Sequence, residues 1–383
     1  MRQRTRLTAA LLALLLLTGC MGRERPQDTP AAAATPTLVT TPEPEPAPTP
    51  EPTPEPTPEP TPEIEYELYY GEVPHIFTHC LIAYPELKDG SGKMRYDTDC
   101  INVTEFKNLL NELYANGYSL VDIYDIYQED ENGRLTMKEA VEVPVGRKPV
   151  VFSIDDVVYD YDKRGNGMVD LLTLDEEGNL VSGTYLADGT IEYSYDREVF
   201  PILEAFLTEH PDFSSHGARL TLCMTGFAGV FGFRTEVSDR PGDRQAEIEK
   251  ATAVADRLKK LGYSFASHSY GHYNHEKHSE ASLRRDLQAF EDEVVPIIGP
   301  VSVYVYSYGR LLVPGDPRYT AMQEYGFDLF CSVSHFFFSR NYDSGDTLYM
   351  TRVAIDGYSL REYHDVLVPL FDTNKVIDLP NRP

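Results

Sequence analysis

Two short runs in this 383-residue chain bring together residue types that carry out hydrolysis at neutral pH. Asp155 and Asp156 close the apolar segment Val150-Val151-Phe152-Ser153-Ile154. Adjacent side chains at a strand end point to opposite faces, so one carboxylate can hold a metal while the other accepts a proton. The second run is His268-Ser269-Tyr270-Gly271-His272, after the apolar segment that begins at Tyr263. His-x-x-x-His converges on a metal when it spans one helical turn or an equivalent bend. Neutral imidazoles suit zinc, and one carboxylate completes a three-ligand site with a position open for water. Taken singly, the acid pair also reads as an acidic turn. With His275 and His278 close behind, the histidines also read as a His-rich surface loop.

Strands that end on one side of a fold would bring the two runs together. Residues 148–156 form a continuous apolar run ending in acids, the pattern of a buried parallel strand. A regular rhythm follows a helix at 198–208: strands at 218–225, 263–269, 301–307, 328–333 and 347–355, and helices at 244–261, 281–298 and 317–325. Such alternation predicts a parallel α/β architecture. In barrels of this kind, ligands bind at the C-terminal ends of the strands. Residues 157–197 interrupt the rhythm with turn signals at Glu177-Gly178-Asn179 and Asp188-Gly189, and predict an inserted β-hairpin. Upstream, 64–147 reads as an N-terminal extension packing on the barrel. It holds a strand at 73–84, a helix from Thr104 to Gly117 with Thr104 as its cap, and a second strand at 118–126.

Together, Ser-Ile-Asp155-Asp156 and Ser-His268-Ser-Tyr-Gly-His272 resemble the first two motifs of the polysaccharide deacetylases, carbohydrate esterase family 4. Those motifs are usually T-F-D-D-G and H-[ST]-x-x-H. The resemblance covers roughly 148–356 and implies a distorted parallel (β/α) barrel with fewer units than an eightfold one. It also implies that Asp155 is the catalytic base and that Asp156, His268 and His272 bind Zn2+, or another divalent metal such as Co2+ or Ni2+. The upstream block and the insertion resemble a subgroup of deacetylase-like lipoproteins. The third family motif, Arg-Pro-Pro-Tyr-Gly, is here Val305-Tyr306-Ser307-Tyr308-Gly309, with Val305 where the Arg would orient the base. Val157 stands in place of the first motif's Gly, and the late Leu-x-His motif that supplies the acid has no match. Arg352, Asp356 and His335 are the candidates to fill these roles. Tyr270, Tyr306 and Tyr308, with Tyr159 and Tyr161, are candidates for stacking on sugar rings, or for ordinary packing.

Residues 1–19 carry Arg2, Arg4 and Arg6 ahead of an apolar run from Leu7 to Leu17, then Thr18-Gly19-Cys20. This resembles a lipoprotein signal with lipid attached to Cys20, and predicts an extracytoplasmic protein anchored to the cell membrane. Residues 29–63 contain 13 of the 28 prolines, with Glu-Pro-Thr-Pro repeats around 51–63. Residues 20–63 therefore read as a lipidated Cys followed by an extended tether. Of the remaining thiols, Cys80 and Cys100 are the pair expected first among the three possible connectivities with Cys223 and Cys331. A net charge of -27 argues against nucleic acid as a partner. The expected partner is an N-acetylated glycan, met by a monomer. Two functions remain open: a surface-tethered deacetylase, assigned to 148–383, and a deacetylase-like lipoprotein that binds glycan with little turnover.

Overall fold

The computed structural model describes residues 64–87, 96–238, 242–341 and 346–382. The expected signal segment, the lipidated Cys20 and the Pro-rich tether lie outside the described residues. Seven parallel strands close into a barrel and follow one another around it in chain order. They are β1 (His75–His79), β2 (Lys148–Asp155), β3 (Thr221–Met224), β4 (Ser264–Ser267), β5 (Val303–Val305), β6 (Leu329–Val333) and β7 (Leu348–Ala354). Each pairs in parallel with the next, and β7 returns to β1 through Val353↔Ile76 and Ala354↔Phe77. A closed barrel with fewer than eight units is the fold that the family resemblance implies.

Alternation along the strands divides the core in two. Inside the barrel, Val151, Cys223, Ala266, Val305, Cys331 and Met350 form one apolar cluster. Outside, Ile76, Phe152, Ile154 and Leu222 pack against α1 (Val103–Ala115), α2 (Val199–Glu209) and α3 (Arg244–Leu261). A separate aromatic layer, with Tyr304, Tyr306 and Phe330, packs on α4 (Glu280–Glu293) and α5 (Pro317–Glu324). Among the described residues, no helix is long and apolar enough to cross a membrane.

Several local expectations change. Residues 64–147 do more than pack on the barrel: β1 is one of its staves, seated between β7 and β2. The apolar run from Val73 to Tyr84 stops being strand at His79, so its polar end falls at the barrel mouth. The strand expected at 118–126 is Tyr118–Leu120 followed by a short helical turn. The insertion is a three-stranded antiparallel meander, Leu171–Leu174, Leu180–Tyr185 and Ile191–Ser194, because both Gly-containing turns reverse the chain. Asn102, rather than Thr104, caps α1: its side chain accepts from Glu105 N while Glu105 bonds back to Asn102 N. The expected Cys80–Cys100 disulfide is not formed. Cys80, Cys100, Cys223 and Cys331 are all buried free thiols that fill core positions as small apolar groups.

Candidate catalytic and metal-binding site

A cleft of about 700 Å3 opens at the C-terminal mouth of the barrel, lined among others by His79, Asp155, Asp156, His268, His272 and Arg352. Asp155 ends β2 in regular geometry, but Asp156 takes a positive φ of 60°. That turn swings the second carboxylate toward the same cleft as the first, where an uninterrupted strand would point it away. The histidine run uses a bend rather than a helix, with Ser269 at φ 60° and His272 at φ 55°. Left-handed backbone at non-glycine residues costs on the order of 1–3 kcal/mol and persists only where the surroundings enforce it. Here α4 does so: the Asp286 carboxylate accepts from Tyr270 N at 2.9 Å and Gly271 N at 2.7 Å. Gly226 completes the clamp, because a Cβ there would meet the Tyr270 ring at 2.5 Å.

The ligand atoms of Asp156, His268 and His272 all lie within 4.8 Å of one another. The Nδ1–H of His268 donates to the Val305 carbonyl at 2.9 Å, which leaves Nε2 as the lone-pair nitrogen facing the group. Burial lowers the pKa of His268 despite the attraction of Asp155 and Asp156, so the ring is neutral, the form that binds metals. Asp156 Oδ1 is buried with no hydrogen-bond donor, 4.0 Å from His272 Nε2. An orphaned carboxylate oxygen beside two imidazoles fits a divalent cation.

The neighbouring carboxylate is fully paired. Arg352 Nη1 donates to Asp155 Oδ1 at 2.7 Å and Nη2 donates to Oδ2 at 2.8 Å, a two-pronged clamp. Arg352 is 0% exposed and its guanidinium lies 4.0 Å from the Phe77 ring centre. Burial works against the charge on Asp155, but the Arg352 guanidinium outweighs it and holds the carboxyl far below the usual carboxylate range. Val305, where the family motif would have Arg, is an interior residue of β5; the guanidinium reaches Asp155 from β7 instead.

His79 was missed in the sequence. It is the ladder partner of Asp155, so both side chains project to the same side, and it lines the cleft. A usable signal existed: His79 is a polar residue after an apolar run, as Asp155 and His268 are. Asp356 caps the helix Gly357–Glu362, accepting from Ser359 N at 2.7 Å, and also lines the cleft. Burial raises its pKa, and His79 is close enough to pull against that.

The remaining candidates separate. His335 is exposed, its ring 4.5 Å from Tyr363, and it is not among the residues lining the cleft. Tyr270 faces away: its hydroxyl donates to Glu293 at 2.9 Å. Tyr306 reaches the cleft wall, yet it is fully buried and stacked on Phe330. Tyr159 is buried, and Tyr161 packs near Arg234. Tyr308 alone of these tyrosines stands exposed in the cleft, 4.4 Å from the His272 ring.

Fold and site together define a closed parallel barrel with a clamped carboxylate and an Asp-His-His set at its mouth. No family model and no curated protein matches the chain. Solved structures do show similarity. Streptococcus pyogenes deacetylase PplD, in complex with acetate, is 14% identical, with a TM-score of 0.44 over 79% of this chain and 100% of that one. A Bacillus anthracis protein, BA0330, described as a candidate polysaccharide deacetylase, is 14% identical with a TM-score of 0.42. That match covers 74% of this chain and 65% of the other. A Mycobacterium smegmatis protein similarly described is 15% identical with a TM-score of 0.27, covering 42% and 46%.

Proposed function

We propose that this chain is a metal-dependent hydrolase that removes N-acetyl or O-acetyl groups from cell-wall or extracellular polysaccharide, held at the membrane by lipid on Cys20. The observation that carries the reading is the juxtaposition of Asp155, kept ionised by Arg352, with the Asp156, His268 and His272 ligand set. Those three residues would hold the metal, zinc by donor preference with Co2+ or Ni2+ as substitutes, which supplies polarisation of the acetyl carbonyl and of water. Asp155 accepts the proton of the attacking water on its carboxylate. A carboxyl this acidic is a weak base, so the step needs the acidification of water that a metal held by the ligand set would supply. Arg352 holds both Asp155 oxygens in place and keeps them charged through the step. His79, which lines the cleft as the ladder partner of Asp155, is the proton donor to the leaving amine. A lipoprotein that only binds glycan needs the metal ligands, but gains nothing from a buried, clamped base.

Purified protein supplied with zinc should release acetate from chitooligosaccharide or peptidoglycan fragments. Glycan binding without acetate release would favour the binding reading. His79→Gln should lower kcat about 10²-fold or more with metal content unchanged; a loss under about twofold would move the acid elsewhere. Cys20→Ser should shift the protein from the membrane to the soluble fraction, and a protein that stays membrane-bound would contradict the tether.

A further inference from the structure

The interior faces of β1 and β2 carry a hydrogen-bonded chain behind the cleft. We infer that His75 and Ser153 are positioning residues for the base: they fix the Arg352 guanidinium and, through it, the Asp155 carboxylate. The inference rests on the reading of Asp155 as base.

Residues 75, 77 and 79 of β1 share the interior side with their ladder partners 151, 153 and 155 of β2. His75, Ser153 and Arg352 are all 0% exposed, and Asp155 is 2% exposed. Arg352 Nη1, which already donates to Asp155, also donates to Ser153 Oγ at 3.1 Å. Ser153 Oγ is in turn 2.9 Å from His75 Nε2. A serine has one hydroxyl hydrogen. Its oxygen could accept from both neighbours, but among the hydrogen bonds of the described residues His75 Nε2 is the one acceptor for the hydroxyl hydrogen. The assignment that leaves that hydrogen paired therefore has Ser153 donating to Nε2 and the ring hydrogen on Nδ1. Burial, then the Arg352 charge, keeps His75 neutral, as this assignment needs.

The arrangement is costly as mere core filling. His75 Nδ1 and Arg352 Nε are buried without hydrogen-bond partners. A buried donor left unpaired costs about 1–3 kcal/mol, and an apolar side chain in place of His75 would avoid one such loss. What the chain achieves is rotational control. The Phe77 face and the distant Cys223 sulfur, 3.9 Å away, leave a planar fork free to tilt about its length. The Ser153 oxygen defines the tilt at which both prongs meet Asp155.

The test is steady-state kinetics of the full protein with acetate release as readout. Ser153→Ala and His75→Leu should each lower kcat about tenfold, since small misplacements of reacting groups carry costs of this size or larger. KM should stay within about twofold and metal content should not change. The double variant should be no worse than the weaker single, because the two act through one chain. His75→Gln, whose amide oxygen can accept from Ser153, should recover most of the turnover lost in His75→Leu. Nitrogen NMR of the wild-type imidazoles should show His75 as the Nδ1–H tautomer. Unchanged kcat in folded variants, additive losses, no rescue by Gln, or a wild-type ring protonated at Nε2 would each overturn the inference. Should Ser153→Ala fail to fold, Ser153→Cys and the wild-type spectrum decide it. If wild type releases no acetate, the functional reading falls by itself, whereas the tautomer still decides the hydrogen-bonded chain.

Discussion

Asp155 and Asp156 are consecutive residues at one strand end, yet they belong to opposite halves of the cleft. On the inner side, both oxygens of Asp155 are bound by a buried guanidinium. On the outer side, Asp156 Oδ1 has no donor and faces two imidazoles. The inner half is electrostatically complete; the outer half presents an unpaired carboxylate oxygen to two imidazoles. On the proposed reading, identical chemistry divides into base and ligand through its neighbours, with left-handed backbone at Asp156 separating the two environments.

The largest effects come from exchanging these partners. Asp155→Asn should lower deacetylation about 10²–10⁴-fold, because an amide cannot accept the water's proton, while metal content stays at the wild-type level. It should also destabilise the fold by about 3–5 kcal/mol, since the Arg352 charge is left buried without its counterion. Asp156→Asn should abolish metal binding at little cost to the metal-free fold, because its lost oxygen had no donor to begin with. Metal content by mass spectrometry and thermal melts of both variants measure the contrast. Loss of metal from Asp155→Asn would erase the division between the halves.

A second buried carboxyl sharpens the point. Glu198, at the start of α2, is as enclosed as Asp155 but has no cation. Its Oε1 accepts from Val199 N at 2.7 Å and Leu81 N at 3.3 Å, and Oε2 is unpartnered. Burial, only partly offset by those backbone bonds, pushes its pKa up to about 8. The folded value lies above the unfolded one, so the folded state holds the proton more tightly. The associated stability is fully present below the unfolded pKa of about 4.3 and is lost as pH rises to about 8, a change of a few kcal/mol. Glu198→Gln is neutral throughout. Relative to wild type it should lose less stability between pH 5 and pH 8. Parallel melting curves against pH for the two proteins would mean that Glu198 ionises freely when folded.

How legible each part was follows from how local its signal is. The run from Lys148 to Asp156 and the one from Tyr263 to His272 carry their apolar strand and their chemistry within ten residues, and both could be read directly. β1 hid His79 because the apolar residues continue past it to Ala83; only pairing with β2 shows that the strand stops at the mouth. Arg352 was legible as a strand-end residue, but its bond to Asp155 joins positions 197 residues apart and depends on barrel closure. No periodicity encodes that kind of contact. The tyrosines failed for a related reason: burial, rather than residue type, separates a stacking surface from a core residue.

That last distinction gives the smallest predicted effect. Tyr308 is 60% exposed and leans over His272, whereas Tyr306, two residues earlier, is 0% exposed within the aromatic layer. If the outer half of the cleft receives the sugar, the Tyr308 ring is a stacking surface, and an aromatic contact contributes about 0.5–1.5 kcal/mol. Tyr308→Ala should therefore raise KM about two- to tenfold and leave kcat and metal content unchanged. Ala is a cleaner probe than Gly, because Tyr308 has a φ of 59° and Gly would also relieve backbone strain. Tyr308→Phe keeps the ring and should keep the wild-type KM. Tyr306→Ala should behave differently, losing about 3–5 kcal/mol of stability as a core truncation does. A Tyr308→Ala variant with an unchanged KM would remove the ring from the binding surface and put the sugar against the inner wall of the cleft instead.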